Sequence, residues 1–286
     1  MSTAGREQVE RSRWAGDWDI WRCPDCRGVL GPSPSGGAME CAECGAGCRI
    51  EDGILIVKDK TADNNGVAQD FYDSPLWPKF RFWEKFTWFC NGGERRARNA
   101  VLRHLPDRPR LDLLDVAIGD GVYLDWLPKD WRIAGVDISR SQLDACRRRA
   151  GAAGRDVRLA QCEAEALPLA DRQFDAVLSI GAFNYFNDPA GALREMARVA
   201  RPGAPIIVSD EMPNLTDRML GHKLGIPAFD RWIVSRLMHL GDRFTEMVER
   251  YRDLDVLSIA RRVLPDAEFI PVWRGVGYVL VGHAPA

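Results

Sequence analysis

The sequence predicts an α/β protein: a doubly wound, largely parallel sheet with a small cysteine-rich unit in front of it. Two observations carry this. From Leu111 onward, short apolar runs alternate with helix-length amphipathic runs, and strands buried on both faces between helices mark a parallel sheet. Ahead of that alternation, five of the eight cysteines fall between Cys23 and Cys48.

Composition sets the bounds. A chain of 286 residues has room for one large domain and a small one. Its 46% hydrophobic and 28% charged content is ordinary for a globular protein. No stretch approaches the apolar length of a membrane helix, and Met1–Arg13 is polar and lacks the apolar centre of a secretory signal. A cytoplasmic location is the expectation. Cysteines there stay reduced, so paired cysteines read as metal ligands rather than disulfides. A net charge of −2 argues against non-specific nucleic-acid binding, although a local basic patch is still open.

The front unit comes first. Cys23-Pro24-Asp25-Cys26 and Cys41-Ala42-Glu43-Cys44 form two Cys-x-x-Cys knuckles with fourteen residues between them. Each knuckle can place two thiolates on one face of a tight turn, and two facing knuckles complete a tetrahedral four-sulfur site suited to zinc. Four thiolates leave the metal no open position, so the site reads as structural. The segment is too short for a core of its own, and the metal would supply its folding energy. Cys48 reads as a small buried hydrophobe.

Residues 59–70, "DKTADNNGVAQD", read as a polar linker. "FYDSPLWPKFRFWEKFTWF" follows, dense in aromatics and cations. "GGERRARNAVLRHL" reads as an amphipathic helix with Ala97, Ala100, Val101, Leu102 and Leu105 on its stripe. Strands are then expected at "LDLLDVAI", "RIAGVDI", "VRLAQCEA", "FDAVLSIGAF", "APIIVSDE", "EFIPVW" and "VGYVLVGH". Helices are expected from "GVYLDWL", over "SRSQLDACRRRA" and over "PAGALREMARVAR". The resulting division is a ribbon over 1–60, a linker with lid and entry helices over 61–110, and a core over 111–286 with a cap insertion at 211–245.

The turn after the first core strand, Asp115-Val116-Ala117-Ile118-Gly119-Asp120-Gly121, lets backbone approach a ligand closely. Asp137 ends the second core strand, 22 residues beyond Asp115, where a carboxylate can take a ribose diol. The turn lacks G-x-G-x-x-G, so a ligand without a pyrophosphate is expected.

Two resemblances arise from these residues. "CPDCRGVL" with "MECAECGAGCRIEDGILIVKD" resembles the small zinc-ribbon proteins that activate methyltransferases, including their I-x-D-G-I turn, here Ile50 to Ile54. "LLDVAIGDGVYL", "GVDIS", "CEAEALPLADRQFDAVLS" and "LREMARVARPGAPIIVSD" resemble, in order, four motifs of Rossmann-like S-adenosylmethionine (SAM) methyltransferases. The similarity is to the group holding ubiquinone and menaquinone C-methyltransferases and many natural-product enzymes. It implies a seven-stranded sheet and a set of roles. Asp115, with backbone at Ala117, Gly119 and Gly121, would hold the methionine end of SAM. Asp137 would take both ribose hydroxyls, and Ile138 would pack on adenine. Glu163 and the Ala164 backbone would face the adenine amino edge. Ser179 to Ala182 would floor the site beside the sulfonium, and Tyr72 would close over it. Ala117 departs from the pattern, which has glycine there.

The methyl group of SAM is already activated, so the protein chiefly aligns the acceptor, and for an N or O acceptor a base is a further candidate requirement. Asn184 and Tyr185 follow the fourth core strand and are candidates for positioning or proton handling, with loop capping as their alternative. His222 and His239 lie in the cap, which in this family roofs the acceptor pocket. A hydrophobic or aromatic small molecule is the expected substrate. An rRNA or tRNA base is the alternative, because residues 76–110 carry nine Lys/Arg and three Asp/Glu among seven interleaved aromatics, Trp77 to Phe89. Residues 1–60 carry eight Lys/Arg and ten Asp/Glu, and a zinc tetrathiolate adds further negative charge, so the ribbon is a poor phosphate reader. It is expected to brace its own core or to meet a protein partner or a second copy of the chain. A non-catalytic SAM-binding regulator is the third reading.

Overall fold

The computed structural model describes residues 19–33, 38–78, 81, 93–214, 220–226, 228–229 and 251–286. The ribbon is a four-stranded antiparallel meander: β1 (Leu30–Pro32), β2 (Ala38–Cys41), β3 (Gly47–Glu51) and β4 (Ile54–Ile56). Asp52 and Gly53 turn β3 into β4 with φ of 51° and 76°, the two positive values that a tight hairpin matching strand twist requires. The core supplies β5 (Asp112–Val116), β6 (Arg132–Asp137), β7 (Val157–Gln161), β8 (Ala176–Ile180), β9 (Pro205–Glu211), β10 (Glu268–Val272) and β11 (Gly277–His283).

These strands form one sheet of eleven, ordered β1-β2-β3-β4-β7-β6-β5-β8-β9-β11-β10. Seven belong to the core, as the resemblance implied; the ribbon adds four more to the same sheet. The join is parallel, with Ile54, Leu55 and Ile56 opposite Leu159, Ala160 and Gln161. All three β4 side chains are buried. An apolar segment of that kind needs cover on both faces, and β7 would otherwise present an open edge. Among the core strands only β11 is reversed, pairing antiparallel with both β9 and β10.

Alternate residues of the central strands enter opposite cores. Leu114, Val116, Ala134 and Val136 pack on one face, and Leu113, Ile133 and Leu159 on the other. Period-two alternation with both faces buried is why these runs read as continuously apolar. The helices are α1 (Asp63–Tyr72), α2 (Glu94–Leu102), α3 (Arg140–Ala152), α4 (Pro189–Val199) and α5 (Val256–Arg261). The Ser139 side chain caps α3 through the Gln142 amide, and proline stands in the first turn of α4.

Two expectations differ. "GVYLDWL" forms only a 3-10 segment, Val122–Trp126. Pro128 disfavours helical backbone at Leu127, whose φ and ψ are −92° and 146°. The polar run at 59–70 contains α1 rather than a linker. Its buried polar residues are satisfied by distant partners. The Gln69 amide donates to the carbonyls of Asp59 (2.9 Å) and Ile138 (2.7 Å) and accepts from Thr61 N (3.0 Å). Asn65 donates to the Glu165 carboxylate at 3.1 Å.

The ribbon is also fastened to the other face of the loop after β7. The Arg22 and Ala170 amides donate to the carbonyls of Pro168 and Ile20, both at 2.9 Å. Arg27, directly after the first knuckle, reaches the Glu195 carboxylate on α4 at 3.1 and 3.2 Å and the Leu167 carbonyl at 2.9 Å. Arg198 binds both Glu195 oxygens at 2.8 Å, and the Leu167 amide donates to one of them at 2.9 Å. Burial pushes the Glu195 carboxyl up, but the Arg198 and Arg27 guanidiniums and the Leu167 amide bring it below its ordinary value.

Glu195→Gln leaves two guanidiniums facing a neutral amide and is expected to cost on the order of 3 kcal/mol. The depressed carboxyl stabilises the fold fully above its unfolded value, and that contribution is lost as pH falls through the lower folded value. Urea melts of wild type and variant should therefore converge in acid and diverge toward neutrality. Equal midpoints at pH 7 would show that the clamp contributes nothing.

Candidate functional site

The crevice lies at the carboxyl ends of the parallel strands, where open α/β sheets take ligands. Beyond β5 the backbone turns sharply: Ala117, Gly119 and Gly121 have φ of 62°, 56° and 70°. A side chain on Gly121 would meet Cys146 Sγ at 2.7 Å, so α3 packs against bare backbone there. A side chain on Gly119 would meet nothing nearer than Gln142 Oε1 at 4.0 Å; that glycine faces open space. Ala117 holds the left-handed conformation with a Cβ, which costs roughly 1–2 kcal/mol for an L-residue.

Two carboxylates stand at this turn. Asp137 accepts from the Gly119 amide (2.9 Å) and the Ser139 amide (2.8 Å). Asp115 has no donor among the described residues. They are 7% and 3% exposed. Burial raises the Asp115 carboxyl to about 8, with repulsion from Asp137 adding to it. Burial raises Asp137 to about 6, against the lowering pull of the Ser139 and Gly119 amides. A buried acid pair without a cation is costly, and a cationic, hydroxyl-bearing ligand would relieve it. Ser179, at the end of β8, is fully buried with no partner for its hydroxyl, a second polar atom that asks for a ligand. The group SAM, a cation with a ribose diol, fits this donor and acceptor set.

The remaining residues expected at the cofactor side lie around the same crevice. The Ile138 carbonyl takes the Gln69 and Gln161 amides at 2.7 and 3.0 Å. Ala164 is buried beyond β7. Glu163 Oε2 is paired with Lys58 at 2.6 Å, an interaction between the end of the ribbon and the loop after β7. The Tyr72 ring stacks edge-on with Trp77 at 4.7 Å, and its hydroxyl approaches the Gly181 carbonyl at 3.5 Å.

On the acceptor side, the Asn184 amide is consumed internally. Its Nδ2 donates to the Glu211 carbonyl (2.9 Å) and its Oδ1 accepts from Tyr278 (3.1 Å), so its geometry favours the structural alternative. The Tyr185 hydroxyl donates to Glu211 Oε1 at 2.5 Å, and Tyr251 donates to the same oxygen at 3.0 Å. Burial lifts both phenols well above their ordinary value, with the Glu211 charge adding to it. Sequence reasoning missed Glu211, Asp210 and Tyr251. The acidic pair closing "APIIVSDE" was the available signal, since that strand end faces the crevice; nothing local marked Tyr251. His222 is exposed on a single helical turn, Leu220–Lys223, and nothing described brings it to this cluster. His239, most of the cap at 211–245 and the aromatics Phe80, Phe82, Trp83, Phe86, Trp88 and Phe89 lie outside the described residues.

The basic stretch is partly spent on the protein itself. Arg98 is buried, pairs with Glu94 and lies 4.5 Å from the Tyr123 ring centre. Arg108 pairs with Asp175 at 2.5 Å, and Arg81 approaches Asp120 at 3.8 Å.

At the front, Cys23, Cys26, Cys41 and Cys44 place their sulfurs within 4.8 Å of one another. Cys23 and Cys44 are 3.6 Å apart, and Cys26 and Cys41 3.3 Å. A tetrahedron with 2.3 Å zinc–sulfur bonds has edges of about 3.8 Å, so the four thiols suit zinc. Cys48 is buried opposite Met39.

Ala117→Gly removes the left-handed strain at a cost in unfolded-chain entropy that is smaller. A gain of about 0.5–1 kcal/mol is expected, read as a raised thermal midpoint. A lowered midpoint would mean the Ala117 methyl packs productively.

The methyltransferase-domain family profile matches residues 114–208, the stretch from β5 to β9. The demethylmenaquinone methyltransferase of Thermus thermophilus is 35% identical over 122 residues, covering 42% of this chain and 54% of that protein. The fatty-acid O-methyltransferase of Mycolicibacterium smegmatis is 30% identical over 161 residues, covering 54% of this chain and 55% of that protein. The chain thus spans about half the length of these curated relatives. In fold, a SAM-dependent methyltransferase of Thermotoga maritima superposes with a TM-score of 0.51 at 16% identity, over 76% of this chain and 99% of that one. No described helix is long and apolar enough to cross a membrane. Residues 114–208, from β5 through its turn to β9, thus match the methyltransferase-domain profile on a sheet of Rossmann-like strand order.

Proposed function

We propose that the chain is a SAM-dependent methyltransferase acting on a hydrophobic or aromatic small molecule. The observation that carries this is the buried pair Asp115 and Asp137 beside the open backbone at Gly119. When bound, SAM supplies a methyl group already activated on a sulfonium. Asp115 would bind its ammonium group and be held ionised by it, reversing the upward push of burial. Asp137, already oriented by the Gly119 and Ser139 amides, would take the ribose hydroxyls. Glu163 keeps one oxygen for the adenine amino edge, since the Lys58 bond is to the other. Ile138 and Tyr72 would enclose the ligand, and Ser179 would lie at its floor. The demethylmenaquinone and fatty-acid enzymes to which the chain is similar act on hydrophobic molecules by their names. RNA finds less support, because Arg81, Arg98 and Arg108 already have intramolecular partners.

The test uses labelled SAM with extract of the source organism, split into RNA, protein and organic-soluble fractions. Label is expected in the organic fraction; label confined to RNA would overturn the substrate reading. Asp137→Ala should weaken SAM binding by at least tenfold in calorimetry, and unchanged affinity would misplace the cofactor.

The ribbon is proposed to hold one structural zinc on Cys23, Cys26, Cys41 and Cys44. Elemental analysis should give one zinc per chain. Stripping it, or Cys26→Ser, should lower the thermal midpoint, because a small metal unit draws its folding energy from the ion. A zinc-free protein with an unchanged midpoint would remove the metal from the account.

A further inference from the structure

We propose that Glu211 is the base for the acceptor, and that the acceptor presents a neutral phenolic or enolic hydroxyl. This rests on the methyltransferase reading above and names the chemistry on the other side of the same site.

Glu211 ends β9, beside the end of β8. The two strand ends are tied by the Gly181 amide, which donates to the Ser209 carbonyl at 2.8 Å. The backbone around Glu211 is held from two sides. The Asn184 amide groups bond Asp210 Oδ2 and the Glu211 carbonyl, both at 2.9 Å, and Tyr278 fixes the Asn184 side chain in turn. Tyr185 and Tyr251 both donate to Glu211 Oε1, and the neighbouring Asp210 carboxyl stands within hydrogen-bond reach of the group. No nitrogen or hydroxyl donor to Oε2, and no Lys, Arg or His partner, is found among the described residues. Two phenols orient the carboxylate and leave Oε2 without a nitrogen or hydroxyl partner, open to an acceptor proton.

The surroundings select the acceptor. The Tyr185 and Tyr251 rings meet edge to face at 5.3 Å, giving an aromatic wall. An anionic acceptor would meet the Glu211 carboxylate with no Lys, Arg or His side chain among the described residues to offset it. A neutral hydroxyl would donate to Oε2. Tyr72 links the two halves of the crevice, with its hydroxyl near the Gly181 carbonyl on the cofactor side and close enough to Tyr185 to act on it electrostatically.

The step balances as follows. The acceptor O–H proton passes to Glu211 Oε2. The oxygen lone pair forms the new O–CH3 bond as the S–CH3 bond breaks, and that bonding pair stays on sulfur as a neutral thioether. The protonated Glu211 then returns its proton to water.

The experiment uses the full chain with labelled SAM and two probes, 1-naphthol and dodecanoic acid. Wild type is expected to methylate 1-naphthol and spare dodecanoate. Glu211→Gln should lower kcat by on the order of 10²–10⁴-fold, with SAM affinity within about twofold by calorimetry. The groups facing Glu211 are Asp210 on β9, Tyr185 after β8, Tyr251, Tyr278 on β11 and Tyr72 on α1. Tyr251→Phe, which keeps the ring and removes one of the two bonds that orient the carboxylate, should lower kcat with SAM affinity again within about twofold. Rates for Glu211→Gln within about threefold of wild type, an unchanged kcat in Tyr251→Phe, preference for dodecanoate, or no transfer to 1-naphthol would each overturn the proposal. If wild type does not bind SAM at all, the methyltransferase reading falls first. If SAM binds and naphthol is methylated equally well by Glu211→Gln, only the base assignment falls.

Discussion

The parallel seam between β4 and β7 makes one object of two units. Three apolar residues, Ile54 to Ile56, lie opposite Leu159 to Gln161, and burying such side chains contributes roughly 1.5–3 kcal/mol each. The seam extends a seven-stranded core into an eleven-stranded sheet and sets the path of the chain after the ribbon. The Val57 and Lys58 amides continue the pairing onto the Gln161 carbonyl at 3.0 and 3.3 Å. Lys58 then meets Glu163, and the Asp59 carbonyl takes Gln69. The ribbon therefore ends against the loop after β7 that carries Glu163, and it also forms the edge of the sheet.

This coupling explains why the knuckle is fastened twice. Arg27 leaves the first Cys-x-x-Cys turn to share Glu195 with Arg198, while β4 joins β7 on the far side of the loop over Leu167–Ala170. The knuckle geometry and the position of that loop are consequently linked. A metal that orders the four cysteines would stabilise both attachments at once.

The crevice carries two acid clusters with opposite needs. Asp115 and Asp137 are buried together, with no donor to Asp115 among the described residues, and a cationic ligand would compensate them. Asp210 and Glu211 are surrounded by phenols, amides and an aromatic wall. Burial and the Glu211 charge hold the Asp210 carboxyl well above its usual range, which spares the cluster a second buried charge. Tyr72 and the Gly181 carbonyl lie between the clusters. A methyl donor on one side and a protic acceptor on the other would meet there.

The α/β class, the strand sequence, the β5 turn and the four ribbon cysteines were legible in the chain itself. They rest on local signals: alternation of apolar runs, glycine at a sharp turn, and thiols at fixed spacing. Asp115 and Asp137 were legible because each stands at the carboxyl end of an apolar strand, one residue before the end of β5 and at the end of β6. What only tertiary structure decided was pairing across distance. Helix α1 was hidden because Asn65 and Gln69 are satisfied by Glu165, Asp59 and Ile138 rather than by an apolar stripe. The fusion of ribbon and core sheets was hidden because β4 carries no mark of its neighbour. Asn184 and Tyr185 stood out equally as polar residues after β8, yet one is locked by Tyr278 and the other reaches Glu211. Glu211 and Tyr251 lie 40 positions apart in the sequence, and their meeting depends on the fold that brings β9 and the 251 turn together. Local spacing encodes which elements form; partner choice among buried polar groups is set by the packed chain, because each group must find its hydrogen bond wherever the fold supplies one.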